Sequence, residues 1–201
     1  MTTAASDTTT TRDRLVAAAR AVIERGGYAA ASVAAIAEEA GVATGTLYRH
    51  YPSKAELFVE VFREAGAHET AAMNEAALAV ADQGFAARFH AVLETYARHA
   101  LSCRRLAWAL VYEPVDVLVD AERLSLRRDL RRRMATLLHD GMAAGAIAHE
   151  DPDLLAAAVV GAVAEALVGP LSPLADPIPD IDATVAGILA FCRRAVGLEV
   201  P

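Results

Sequence analysis

Aromatic side chains make up only 5 % of this 201-residue chain, and stretches that alternate β-branched with polar residues are missing. Strand-built folds draw on both, so a sandwich or barrel is excluded and an all-α chain is expected. The cysteines, Cys103 and Cys192, stand far apart and outside any metal-ligand spacing. That excludes a disulfide framework and fits thiols kept in a reducing compartment. There is no Walker loop, Gly-x-Ser-x-Gly elbow, His-Glu-x-x-His or Glu-x-x-His pair, and His99, His139 and His149 form no metal set. No catalytic residue, cofactor or metal is therefore assigned. Positive charge is also short: the net charge is −7. The longest uncharged apolar run, Leu154 to Ala164, is too short to cross a bilayer. Met1 to Thr11 is polar and threonine-rich, which reads as a disordered arm over residues 1–11 rather than a signal peptide. A soluble, cytoplasmic protein with no membrane partner is expected.

What is present concentrates between Ser32 and Lys54. Val33, Ile36, Ala37 and Ala40 recur at i, i+3, i+4 and i+7, the apolar face of a short helix. Ser32 stands at its N-cap and Gly41 where a left-handed C-terminal cap is needed. A second helix begins near Ala43. At about 100° per residue, Ala43, Leu47 and His50 share the side that faces the protein, and Thr44, Gly45, Tyr48 and Arg49 share the other. A hydroxyl, a bare backbone, a phenol and a guanidinium suit a nucleic-acid groove better than a core, so the pair reads as a helix-turn-helix. A preceding helix, Arg12 to Arg25, carries the stripe Leu15, Ala18, Ala19, Val22 and Ile23 and is stopped by Gly26-Gly27. Residues 12–54 form the predicted DNA-binding unit. Its basic residues, Arg12, Arg14, Arg20, Arg25, Arg49 and Lys54, barely outnumber its acids, so the placement of charge must do what its quantity does not.

Gly41-Val42-Ala43-Thr44-Gly45-Thr46-Leu47-Tyr48 followed by His50-Tyr51-Pro52-Ser53-Lys54-Ala55-Glu56-Leu57-Phe58 resembles the signature of the tetracycline-repressor (TetR) family, over roughly Leu15 to Phe62. Beyond that the likeness is one of helical architecture and length. The resemblance implies that Thr44, Gly45, Tyr48 and Arg49 approach base edges, with Arg49 able to fork onto guanine and Thr44 to touch a thymine methyl. It implies phosphate contacts from Ser32, Thr46, Tyr48, His50, Tyr51 and Lys54. It also implies that Tyr28 packs under the following helix. Ala34-Ala35 departs from the family pattern, which often carries polar residues there.

Residues 55–201 read as a ligand-binding and dimerisation bundle of six helices, making about nine in the chain. They run Lys54 to about Ala81, Phe85 to Ser102, Arg104 to Tyr112, Asp116 to Ala144, Asp151-Pro152 to Leu167 and Asp180 or Asp182 to near Gly197. Leu171 to Pro179 forms a connector. Candidate cavity residues are His68, Phe89, Tyr96, Trp108, Tyr112 and Met134, an apolar set with two phenols that suits a mid-sized apolar effector. Arg123 and Arg127 fall beside the leucine stripe of the seventh helix, where a guanidinium without an acid would favour an apolar acid as ligand. Ala158, Gly161, Ala162 and Glu165 of the eighth helix, with Ile188 and Cys192 of the ninth, are the expected seam of a two-fold homodimer. The resulting expectation is a ligand-responsive regulator, most simply a repressor, bound to palindromic double-stranded operator DNA. A helical dimeric adaptor without DNA binding and an all-α enzyme are the alternatives.

Overall fold

The computed structural model describes residues 10–175 and 180–199, and among these it is built from helices with no strand. They are α1 (Thr11–Ala30), α2 (Val33–Glu39), α3 (Thr44–His50), α4 (Lys54–Ala79), α5 (Phe85–Ser102), α6 (Arg104–Val111), α7 (Val117–Ala143), α8 (Pro152–Leu171) and α9 (Ile181–Ala195), with one 3-10 turn at Ala81–Gln83. Most starts are fixed by side-chain caps. Ser32, Ser53, Asp151 and Asp180 each accept a backbone N–H of the first turn they precede. Thr10 and Asp13 form a reciprocal capping box at 3.0 and 3.2 Å. Thr10 and Thr11, expected in a disordered arm, are thus the start of α1; the rest of that arm, residues 1–9, lies outside the described residues.

Two ends differ from expectation. Gly27 breaks α1 at φ +80, as the Gly-Gly pair predicted, but one further turn continues to Ala30. The α8 helix was expected to stop at Leu167 and instead runs through Pro170 to Leu171. Proline lacks the N–H that would bond the Ala166 carbonyl there. The final turn is closed by Ser172 N–H, which donates to the Val168 and Gly169 carbonyls. Arg104 Nε donates to the Pro170 carbonyl at 2.9 Å. Of the expected connector, residues 176–179 lie outside the described part.

Burial divides the protein into two cores. Leu15, Ile23, Ile36, Leu47, Phe58 and Phe62 gather the first, and Leu106, Ala109 and Val119 join it from α6 and α7. Phe85, Phe89, Leu93, Leu138, Val163 and Leu167 centre the second. The packing therefore has no break at residues 54–55, and the first turns of α4 belong with the N-terminal helices. Emptying one such site, for example Phe58→Ala, would cost about 3–5 kcal/mol. Helix α8 is 20 residues long with a mean hydropathy of 2.0, enough in length and composition for a bilayer. The run counted from the sequence stopped short because Glu165 follows it. In the bundle, Ala156, Val159, Val163 and Leu167 of α8 are buried in the second core.

Candidate nucleic-acid interface and effector cavity

The geometry of α3 follows from one anchor. Leu47 is fully buried, and a turn between α2 and α3 fixes its entry. Gly41 adopts φ +65, Val42 N–H reaches back to the Ala37 carbonyl at 2.9 Å and Gly41 N–H to that of Glu38 at 3.0 Å, which is a Schellman closure. Arg14 Nη2 donates to the Ala40 carbonyl, tying the turn to α1. With Leu47 inward, Thr44, Gly45, Tyr48 and Arg49 all face solvent, Tyr48 at 50 % exposure. A Cβ built on Gly45 would meet nothing within 4 Å, so that backbone is open to a close approach. Ser32 is exposed, and Thr46 and His50 are half-buried on the flanks.

Two expected phosphate contacts sit elsewhere. Tyr51 is 2 % exposed and its hydroxyl is buried without a hydrogen-bond partner, with the Arg12 guanidinium 4.6 Å over the ring. At φ −133 its backbone is extended, which turns the ring back into the first core. Lys54 also turns inward. Its Nζ donates to the Tyr28 carbonyl at 3.0 Å and lies 4.2 Å from the Tyr28 ring centroid. Burial lowers its pKa, against the pull of Asp116 and Glu113. Tyr28 packs edge-on against Phe58 of α4 at 4.7 Å, where the resemblance implied the following helix, and its hydroxyl donates to Asp116.

A cavity of about 810 Å³ opens between α4, α5, α6, α7 and α8. Of the expected residues, His68, Tyr96, Tyr112, Arg123 and Arg127 line it. Phe89 does not: it is fully buried against Phe85 in the second core. Met134 borders a separate void of about 20 Å³. Trp108 stands behind the wall, its ring 5.0 Å from that of Tyr112. Arg123 is fully engaged by protein. Its Nη2 donates to the Ala109 and Glu113 carbonyls, Nε to that of Leu110 and Nη1 to Asp120, at 2.7 to 3.1 Å. It thus caps the carbonyl end of α6, and burial lowers its pKa. Arg127 is half-buried, and among the described residues it forms no ion pair.

Glu69 and His99 are among the lining residues that were not foreseen. Glu69 Oε2 lies 3.3 Å from His99 Nδ1, and the His99 ring stacks at 6.2 Å on that of His68. Burial pushes the Glu69 carboxyl up, with His99 opposing. Burial, with Glu69 and Tyr112 adding, pushes the Tyr96 phenol to about 12, and Arg127 pulls the other way. The sequence held a signal: Phe62, Gly66, Glu69 and Met73 recur at i, i+4, i+7 and i+11, so Glu69 stands in an inward stripe.

The outer faces of α8 and α9 carry apolar groups into solvent. Leu154 is 69 % exposed and Phe191 52 %, Ala158 and Glu165 are exposed, and Gly161 and Ala162 half so. Ile188 and Cys192 are not part of this face. With Val185 and Leu189 they form the inward stripe of α9 and are buried in the second core.

Comparison with known proteins agrees with this geometry. The family model for bacterial regulatory proteins of the tetR family matches residues 15–61, and that for the tetracyclin repressor-like C-terminal domain matches residues 82–167. The HTH-type transcriptional repressor KstR of Mycolicibacterium smegmatis is 43 % identical over 68 residues, 34 % of this chain and 33 % of the relative. The match thus spans about a third of that curated relative. FadR from Bacillus subtilis, solved with stearoyl-CoA, superposes with a TM-score of 0.77 at 20 % identity, covering 93 % of this chain and 98 % of that one. RolR, solved with resorcinol, gives 0.65 at 25 % identity over 95 % of both chains. The chain belongs to the tetR family of bacterial regulatory proteins.

Proposed function

We propose that this chain is a dimeric, ligand-responsive repressor that binds a palindromic operator in the cytoplasm. The observation that carries the reading is the outward set Thr44, Gly45, Tyr48 and Arg49, held on a helix whose only buried anchor is Leu47. Arg49 offers two parallel N–H donors to a guanine edge. Ser32, Thr46 and His50 flank that set and would position it on phosphates. In two-fold symmetry the reading helices must stand about 34–36 Å apart to enter successive major grooves. The exposed apolar faces of α8 and α9, including Leu154, Ala158, Ala162 and Phe191, would supply the dimer seam.

Residues 12–54 read DNA in this account, residues 55–201 hold effector and partner, and the first turns of α4 serve both. The cavity falls in the usual range for small ligands, about 300–1,000 Å³. Support for an effector comes from two structures of the same fold, solved with stearoyl-CoA and with resorcinol. A ligand that fits one spacing of the reading helices better than another shifts the population by that difference in affinity. The connection would run through Arg123, which lines the cavity and also holds the carbonyl end of α6 beside α1. A gel shift with genomic fragments flanking the gene tests the reading. A retarded band that Arg49→Ala weakens and a cavity ligand dissolves is the expected result, and a folded dimer that retards no fragment contradicts it.

A further inference from the structure

Two polar groups in the cavity wall lack a partner, and they carry opposite charge. Glu69 Oε1 is buried with no hydrogen bond, although its sister oxygen faces His99. The Arg127 guanidinium has no acid among the described residues, and the two do not pair with each other. Both line the same cavity wall together with Tyr96. A buried carboxylate oxygen demands a donor, and a half-buried guanidinium demands an anion or a carbonyl.

The remaining lining decides what kind of donor. Arg20, Arg63 and Arg123 of the lining pair with Glu24, Glu122 and Asp120, and Asp129 pairs with Arg132, which leaves Arg127 and Arg133 against Glu69. The cavity is therefore net positive, which disfavours an ammonium group as the donor to Glu69. A neutral hydroxyl meets that need without the penalty. The rest of the wall is apolar, with Leu106, Leu110, Val160 and Leu167 offering no hydrogen bonds.

Resting on the effector-cavity reading above, we propose that the ligand is a hydroxylated amphipathic acid. Its anionic group meets Arg127, its hydroxyl donates to the Glu69 carboxylate, which turns to bring its unpaired oxygen to the cavity, and its apolar body lies along the leucine and valine wall. Arg127 would give a charge-assisted, two-pronged contact. Glu69 would act as a specificity position, because a site built to accept a hydroxyl discriminates against the analogue that lacks it.

Calorimetric titration of the full chain tests this with three aliphatic probes of matched length: a saturated fatty acid, its ω-hydroxy derivative and the corresponding diol, over about eight to sixteen carbons. At the best length the hydroxy acid should bind about tenfold tighter than the plain acid and than the diol. Glu69→Met should erase the hydroxyl preference. Arg127→Met should erase the preference for acid over diol. Equal binding of hydroxy acid and plain acid by the unaltered protein, or a hydroxyl preference that survives Glu69→Met, overturns the inference. Should Glu69→Met fail to fold, the ranking by the unaltered protein already decides. If none of the probes binds at any length, the inference is overturned. The effector-cavity reading would still stand if an unrelated neutral compound both released operator and altered Trp108 fluorescence, and would fall if none did.

Discussion

The Glu113 carboxylate accepts the backbone N–H groups of Tyr28 and Ala29, one on each oxygen, both at 3.0 Å. It thereby caps the last turn of α1 from the far side of the chain. Gly27 permits the approach: its φ of +80 suits glycine, and a Cβ there would stand 3.2 Å from both carboxylate oxygens. Arg123 holds the Glu113 carbonyl at 2.7 Å, and Lys54, at the base of α4, holds that of Tyr28. The cavity wall is therefore joined to the end of α1 and the base of α4 by a short chain of named hydrogen bonds.

Glu113→Ala should remove both amide contacts and lower unfolding stability by about 1–3 kcal/mol, measured by urea denaturation. It should also weaken the power of a bound ligand to release operator, with ligand affinity little changed. Unaltered ligand-driven release would show that the signal travels by another route.

At the DNA face, Arg49→Ala should cost about 1–3 kcal/mol at one operator position and relax selectivity there. Lys54→Ala should behave differently from an exposed phosphate contact. Because its ammonium sits on Tyr28, the variant should lose thermal stability, with the salt dependence of binding largely kept. A melting curve beside a salt titration of operator affinity separates the two, and a flattened salt slope at unchanged stability would return Lys54 to the phosphates.

Ala158→Arg places a charge on the exposed apolar face of α8, and Phe191→Asp does the same on α9. Each should lower dimerisation and operator affinity together in sedimentation and gel-shift assays. Cys192→Asp should act instead by disrupting the second core, since that side chain is buried. A stable monomer of the unaltered protein at micromolar concentration would remove the dimer.

Glu69 gives the protein a pH dependence with a definite sign. Its carboxyl is raised by burial above the ordinary value, so the folded state holds that proton more tightly than the unfolded chain. The resulting stability is complete below the ordinary carboxylate range and is lost as pH rises through the raised value. Thermal melts of the unaltered protein and Glu69→Gln across that range should therefore diverge, the unaltered protein losing ground as pH rises. Parallel curves would mean Glu69 is as solvated as in the unfolded chain.

The helix-turn-helix was legible because its signals are local. Ser32 caps its own helix, Gly41 closes the turn, and the spacing of Leu47 from Thr44 and Arg49 settles which side faces out. Residues whose roles depend on distant partners were not legible. Arg123 could not be assigned from its place in a leucine stripe, because its acceptors are the carbonyls that end another helix. Lys54 and Tyr51 matched a surface motif, yet one is drawn inward by the Tyr28 carbonyl and the other by an extended backbone at the end of α3. Ile188 and Cys192 share the stripe of Val185 and Leu189, and a stripe alone does not say whether it closes its own core or a partner's.

Whether Thr44, Gly45, Tyr48 and Arg49 read operator DNA in a two-fold assembly is decided by selecting binding sites from a random duplex library with the purified protein. An inverted repeat whose half-sites lie about one helical turn apart, centre to centre, should be enriched, with the preference lost in Arg49→Ala. Enrichment of no sequence by the folded dimer, or of a site that Arg49→Ala and Tyr48→Ala read equally well, would contradict that role.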